Sequence, residues 1–241
     1  MRIAVWQARG PDAEAVRLEA ATARAAAAGA DVVVTPELFA TGYGAPFAGP
    51  DPALLPRLQE IAAAHRITVV ASEPHDGHIT AVAIDADGTL AGRYRKTHLW
   101  GDDERAAFTP GDGTPLIVGI GGLRCAVIIC YDVEFPEVVR GLALAGARVV
   151  LAPTALDDEA VARVLVPARA MENRLALAYA NQIGPGFCGA SVIAGPDGRE
   201  LTRAGADTEE LLIADVTTDD LERARARGDY LADRRPETYQ W

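Results

Sequence analysis

Three side chains stand where apolar runs give out, and together they supply what cysteine acyl transfer needs. Cys130 closes the run Ala126-Val127-Ile128-Ile129 and is followed by Tyr131, Asp132 and Glu134. Glu37 comes directly after the β-branched run Val32-Val33-Val34-Thr35 and Pro36. Lys96 sits in Tyr94-Arg95-Lys96-Thr97-His98-Leu99-Trp100, the end of a hairpin arm. A carboxylate beside a thiol can take its proton, and a cation can stabilise the thiolate and the oxyanion formed on attack at a carbonyl. Each residue alone has a plainer reading. A lone cysteine ending a core strand is more often a small buried hydrophobe, and Lys96 and the nearby Glu104 read equally as solvated charges. No Cys–His dyad is visible, because His98 is the one histidine in a strong motif. A glutamate base fits better. His75-Asp76-Gly77-His78 has metal-like spacing, but without a third ligand nearby it reads as a solvated hairpin turn.

The elements that must position these groups follow from periodicity. The Cys130 run, with Phe135-Pro136-Glu137 opening a helical pattern through Val139, Leu142 and Leu144, predicts a buried strand, a tight turn and a helix. Such a turn presents its side chain beside backbone N–H groups that stabilise a thiolate or bind an oxyanion. Arg2–Ala8 predicts a first strand and Asp12–Ala28 an Ala-rich helix stopped by Gly29. The run after Asp31 predicts a strand covered on both faces, so Glu37 lies where a parallel strand yields to a Gly/Pro-rich loop. Further on, Pro52–His65 predicts a helix, Thr68–Ala71 a strand, and Ile79–Asp85 with Thr89–Arg95 a hairpin about Asp87-Gly88. Leu116–Val118 and Arg124–Ile129 bracket Gly121-Gly122; Arg148–Ala152 and Leu175–Asn181 predict strands around a helix over Glu159–Arg174. Ser191–Ala194 and Leu211–Val216 predict a last β unit across the Gly195–Gly198 turn, and Asp219–Arg227 a short charged helix. Parallel units mixed with hairpins imply two packed mixed sheets with helices outside.

Composition bounds the partners. The chain has 241 residues, 49% hydrophobic and 24% charged, enough for one large α/β domain. A net charge of −11 argues against nucleic acid or an anionic membrane as partner, and no apolar stretch approaches a membrane span. Three cysteines, Cys125, Cys130 and Cys188, lack metal-ligand spacing and suit a reduced, cytoplasmic protein. No linker or fixed-period repeat divides residues 1–241.

PELFATGY around Glu37, YRKTHLW around Lys96 and CYDVEFPE from Cys130 resemble, in the right order, the motifs of the nitrilase (carbon–nitrogen hydrolase) superfamily. PARAMENRLALAYANQIG, GASVIAGPDG and YLADRRPETY are similar to its later blocks. The resemblance implies an α/β fold, a four-layer α-β-β-α sandwich that forms a homodimer or a higher homo-oligomer, and a Glu-Lys-Cys triad needing neither metal nor organic cofactor. It makes Glu37 the general base, Cys130 the nucleophile and Lys96 the stabiliser of the tetrahedral intermediate, helped by the Tyr131 N–H. Glu104 matches the family's second glutamate, although the adjacent Asp102 and Asp103 leave that register open. CYDVEFPE is more similar to the amidase-type branches, which implies hydrolysis of a small primary amide to a carboxylic acid and ammonia. The runner-up is an N-carbamoyl compound; a catalytically silent binding protein is the reading from another class. The pocket is expected to include Tyr43, Phe47, Tyr131, Glu134, Phe135, Thr154 and Ala155. The pair Asp157-Asp158 would suit a cationic substrate, or else simply complement a helix dipole.

Overall fold

A computed structural model describes residues 1–10 and 14–239. In chain order the strands are β1 Arg2–Gln7, β2 Val32–Val34, β3 Thr68–His75, β4 His78–Ile84, β5 Leu90–Arg95, β6 Leu116–Ile120 and β7 Leu123–Val127. They continue as β8 Val149–Pro153, β9 Ala176–Ala180, β10 Ile183–Gly184, β11 Phe187–Cys188, β12 Val192–Ala194, β13 Glu200–Arg203 and β14 Glu210–Asp215. The helices are α1 Glu14–Ala27, α2 Leu54–His65, α3 Gly101–Ala107, α4 Pro136–Leu144, α5 Val166–Asn173 and α6 Thr218–Ala226. Of the Ala-rich helix predicted from Asp12, the first two positions lie outside the described residues.

Two six-stranded mixed sheets form the centre. The first runs β14-β1-β2-β3-β4-β5 and the second β13-β12-β9-β8-β7-β6. In each, three neighbouring strands are parallel: β1, β2 and β3 in one, β7, β8 and β9 in the other. Side-chain alternation assigns the faces of the first sheet. Ile3, Val5, Val32, Val34, Val70, Ile79 and Ala81 enter the core shared with the second sheet. Their neighbours Ala4, Trp6, Val33, Val69 and Val82 pack with Leu18, Leu58 and Ile61 of α1 and α2. Both faces are thus buried, which is why the strand before Glu37 is an unbroken valine run. On the second sheet the outer layer is α4 and α5, whose Val139, Leu142, Val166 and Ala170 join the same core. The α-β-β-α sandwich of two mixed sheets stands as expected.

Three details differ, and one motif resolves as expected. The strand before Cys130 ends at Val127: the Ile128 N–H still donates to Leu151 O (3.1 Å), but the Ile129 N–H turns to Asp132 Oδ2 (3.3 Å). The helix expected over Glu159–Arg174 opens as a π turn, Val161–Leu165, and becomes α-helical only at Val166. Pro167 supplies no N–H for the preceding turn, so the wider turn costs no hydrogen bond there. The last β unit is divided: β12 pairs with the unforeseen β13 through the Gly195–Gly198 turn, and β14 crosses to pair antiparallel with β1. The Arg2–Asp215 ion pair (2.9 Å) marks that register. His75 and His78 face each other across the two-residue Asp76-Gly77 turn of the β3–β4 hairpin, the plainer reading of that motif.

Candidate active site

Glu37 and Lys96 come from the first sheet and Cys130 from the second, so the site exists only where the two meet. Glu37 follows β2 and is held there by its backbone. Its N–H donates to Thr154 O beyond β8 (3.1 Å), and its carbonyl accepts from Gln182 Nε2 (2.7 Å). The next residue, Leu38, has φ +47°, a left-handed conformation that costs a branched side chain energy, and its N–H donates to Ser72 Oγ (2.8 Å). Cys130 repeats the device with φ +46° at the first residue of a 3-10 turn, Cys130–Glu134. Tyr131 is second in that turn, so its N–H has no acceptor within it.

Lys96 is fully buried and bridges two carboxylates, donating to Glu37 Oε1 (2.8 Å) and Glu104 Oε1 (2.7 Å). Of the three adjacent acids in α3, Glu104 alone is buried; Asp102 and Asp103 are exposed. Glu104 is fixed further by Trp100 N–H on Oε2 (2.7 Å) and by a short hydrogen bond from the Tyr43 hydroxyl. The Cys130 thiol is also buried and lies 3.7 Å from Ala155 O.

Two carboxylates share one buried cation, and the protonation states follow. Burial pushes Glu37 up and Lys96 pulls it back, leaving its pKa raised to about 7. Burial pulls Lys96 down, but Glu37, Cys130 and Glu104 outweigh it and hold the ammonium charged. Burial and then the Glu37 charge drive the Cys130 thiol well above its ordinary value, against the pull of Lys96. The site therefore holds a thiol beside a carboxyl that can accept its proton near neutral pH, as the expected proton transfer from Cys130 to Glu37 requires. Glu37 Oε2 is buried without a hydrogen-bond partner, and the thiol acts on the same carboxyl.

The expected pocket residues divide into four sets. Tyr43 touches Glu104, and Phe47 packs edge-on against Tyr43 and Phe108 (centroids 5.5 and 5.0 Å). Phe135 stacks on His98 (3.7 Å) and meets Tyr131 edge-on (4.9 Å). Thr154 and Ala155 act through their backbone carbonyls on Glu37 and Cys130, while the Thr154 hydroxyl donates to Ala152 O. Glu134 ends the 3-10 turn half-buried.

The residue that sequence reasoning missed most plainly is Asp132. Its buried Oδ1 accepts from Thr97 Oγ1 (2.6 Å), His98 N–H (2.9 Å) and His98 Nδ1 (2.9 Å). Its Oδ2 accepts from the Tyr94 hydroxyl (2.9 Å) and Ile129 N–H (3.3 Å). One carboxylate thus ties the segment carrying Lys96 to the turn carrying Cys130. The signal was present, since Asp132 lies two residues after the cysteine and its donors flank the lysine, but their pairing is a tertiary fact. Arg169 likewise clamps the Cys130 turn, donating to Val133 O (3.0 Å) and Glu134 O (2.7 Å).

Comparison with known proteins agrees with this arrangement. The family model for carbon–nitrogen hydrolases matches residues 2–226. An (R)-stereoselective amidase from Pseudomonas sp is 36% identical over 98% of this chain and 92% of its own length. A hydrolase from Pseudomonas protegens is 40% identical over 87% of this chain and 80% of its own. A glutamine variant of the amidase from Nesterenkonia sp. AN1, with acrylamide added to its active-site cysteine, superposes with a TM-score of 0.87 at 38% identity. That superposition covers 98% of this chain and 97% of the other.

Proposed function

The chain belongs to the carbon–nitrogen hydrolase family, and from that premise we propose that it hydrolyses a small primary amide at Cys130. The product would be a carboxylic acid and ammonia, formed through a cysteine thioester. The observation that carries this reading is Lys96, fully buried between Glu37 and Glu104 and acting electrostatically on the Cys130 thiol. A lone structural lysine has no reason to be desolvated at such cost beside a thiol.

Glu37, ionised in a good share of molecules at neutral pH, removes the thiol proton as Cys130 Sγ attacks the amide carbon. The oxyanion meets the Lys96 ammonium and the free Tyr131 N–H. Collapse expels the amine, which takes the proton from Glu37 and leaves as ammonia. A water then gives its proton to Glu37, attacks the thioester, and frees the acid and the thiol. Glu104 keeps Lys96 charged and is itself held by the Tyr43 hydroxyl. The test is ammonia release from acetamide, propanamide and butanamide by the wild type and by Cys130→Ala. Release lost in the variant is the expected result; equal release from both would overturn the assignment of Cys130.

The same reading takes residues 1–241 as one catalytic domain working as a cytoplasmic homodimer. Its free cysteines fit a reducing compartment, and Leu144, Val164 and Met171 leave an apolar outer flank on α4, the π turn and α5. Light scattering on the purified chain would show a monomer if the dimer is wrong.

A further inference from the structure

We propose that Phe47 sets the length of acyl chain this site accepts, as a wall between a small cavity at the catalytic cluster and a larger apolar one beyond it. The proposal rests on the amide-hydrolase reading and names its substrate class: short aliphatic amides, with longer chains excluded by one side chain. The smaller cavity has a volume of about 290 Å³, and its lining includes Tyr43, Phe47, Trp100 and Glu104. It reaches the cluster at Glu104, whose Oε1 accepts from Lys96 Nζ (2.7 Å); Lys96 in turn donates to Glu37 Oε1 (2.8 Å). Two of its walls are tied to that same Glu104 carboxylate. The Trp100 N–H donates to Oε2 (2.7 Å), and the Tyr43 hydroxyl donates to Oε1.

The larger cavity, of about 480 Å³, lies between the 45–50 loop, the Asp76-Gly77 turn and the end of α3. Pro46, Pro50, Pro74, Ala106 and Phe108 give it an apolar lining, and it touches none of Glu37, Lys96, Glu104 or Cys130. The two cavities share Ala45, Phe47 and Asp103. Ala45 offers a single methyl group and Asp103 is an exposed carboxylate on α3, so among the described residues Phe47 is the bulky apolar part of the partition. It is not a loose loop side chain. Residues 44–46 and 48–50 around it are exposed, whereas Phe47 is half-buried against the core. Tyr43 and Phe108 grip its ring edge-on (centroids 5.5 and 5.0 Å), an arrangement in which each aromatic ring orients the next. An acyl chain that leaves the thiol along Glu104 therefore ends at a fixed ring, with apolar volume unused behind it.

The test measures ammonia release from acetamide, butanamide and hexanamide, the last two differing by two methylene groups. In the wild-type protein kcat/KM should be higher for butanamide than for hexanamide. Phe47→Ala joins the two cavities and should raise the hexanamide-to-butanamide ratio about tenfold, the gain expected from burying two more methylenes. That gain should fall chiefly on KM, as for a contact made equally in the ground and transition states. Phe47→Trp thickens the wall and should lower the ratio below that of the wild type. A wild-type ratio at or above one overturns the proposal while leaving the amide-hydrolase reading intact. So does a ratio that Phe47→Ala leaves unchanged. Should that variant fail to fold, Phe47→Leu shortens the same wall and is judged by the same ratio. No release from any of the three amides would instead bring down the amide-hydrolase reading itself, and this proposal with it.

Discussion

Replacing Glu37 with glutamine should make the protein more stable at alkaline pH while destroying its activity. Lys96 is one cation between two buried carboxylates, so the cluster carries a net negative charge whenever both are ionised. Burial raises the Glu37 pKa from 4.5 to about 7. The folded state therefore keeps this proton over a range in which the unfolded chain releases it. Stability is greatest below about 4.5, falls as pH rises through the window to about 7, and is level above it. The gap of about 2.5 pH units corresponds to about 3 kcal/mol, the cost of holding the ionised base in place. Glutamine has no charge at any pH and keeps a carbonyl that can accept from Lys96 Nζ, which Glu104 still neutralises. At pH 8 the variant should melt higher than wild type by roughly 5 to 10 °C for a chain of this size. At pH 5, where Glu37 is protonated in the fold, most of that advantage should vanish. Thermal unfolding of both proteins at the two pH values is the assay. A difference that does not change with pH would refute the reasoning, as would a variant less stable than wild type at pH 8. Either would mean that Glu37 is not a strained, desolvated base.

The same carboxyl should set the acid limb of catalysis. kcat/KM should fall tenfold per pH unit below an apparent pKa near 7, and a limb near the ordinary glutamate range of 4.5 would exclude Glu37 as the base that is measured. Asp132→Asn should lower kcat by roughly 10- to 100-fold with little change in KM, since it weakens the tie between the Lys96 segment and the Cys130 turn without touching substrate. Recovery of most of that kcat in Asp132→Glu, or an Asp132→Asn defect confined to KM, would argue against a positioning role.

Much of the fold was legible because its signals are local. The valine run before Glu37, the Asp87-Gly88 turn and Pro136 at a helix start each specify their element within a few residues. What escaped was set by partners far along the chain. Nothing near Glu210–Asp215 says that the strand will pair with β1 rather than with the nearby β12. The short β10–β11 pair and β13 carry too few apolar residues to declare themselves. In the site, Glu37, Lys96 and Cys130 were visible as charges and a thiol at strand ends. Glu104 was visible only to within one residue, and geometry separates it from Asp102 and Asp103 by burial. Asp132 and Gln182 were hidden for a common reason: each matters through what it meets, and Gln182 reaches Glu37 across 145 positions of sequence.

That long reach explains why the site can be strained and still be well defined. Glu37 and Lys96 belong to one sheet and Cys130 to the other, so neither half contains the cluster by itself. Left-handed turns at Leu38 and Cys130 and an excess of buried negative charge all oppose folding locally. The apolar interface that closes over them is extensive, with Ile3, Val5, Val34, Val127, Val150 and Leu177 fully buried in one shared core. Hydrogen bonds placed at the seam convert that packing into geometry: Glu37 N–H on Thr154 O, Gln182 on Glu37 O, and the Ser191 N–H on Gln7 Oε1 (2.9 Å). Asp132 does the same between the ends of β5 and β7. Sheet packing thus supplies the free energy that holds a thiol, a desolvated carboxyl and a buried ammonium together, and the seam bonds decide where each of them points.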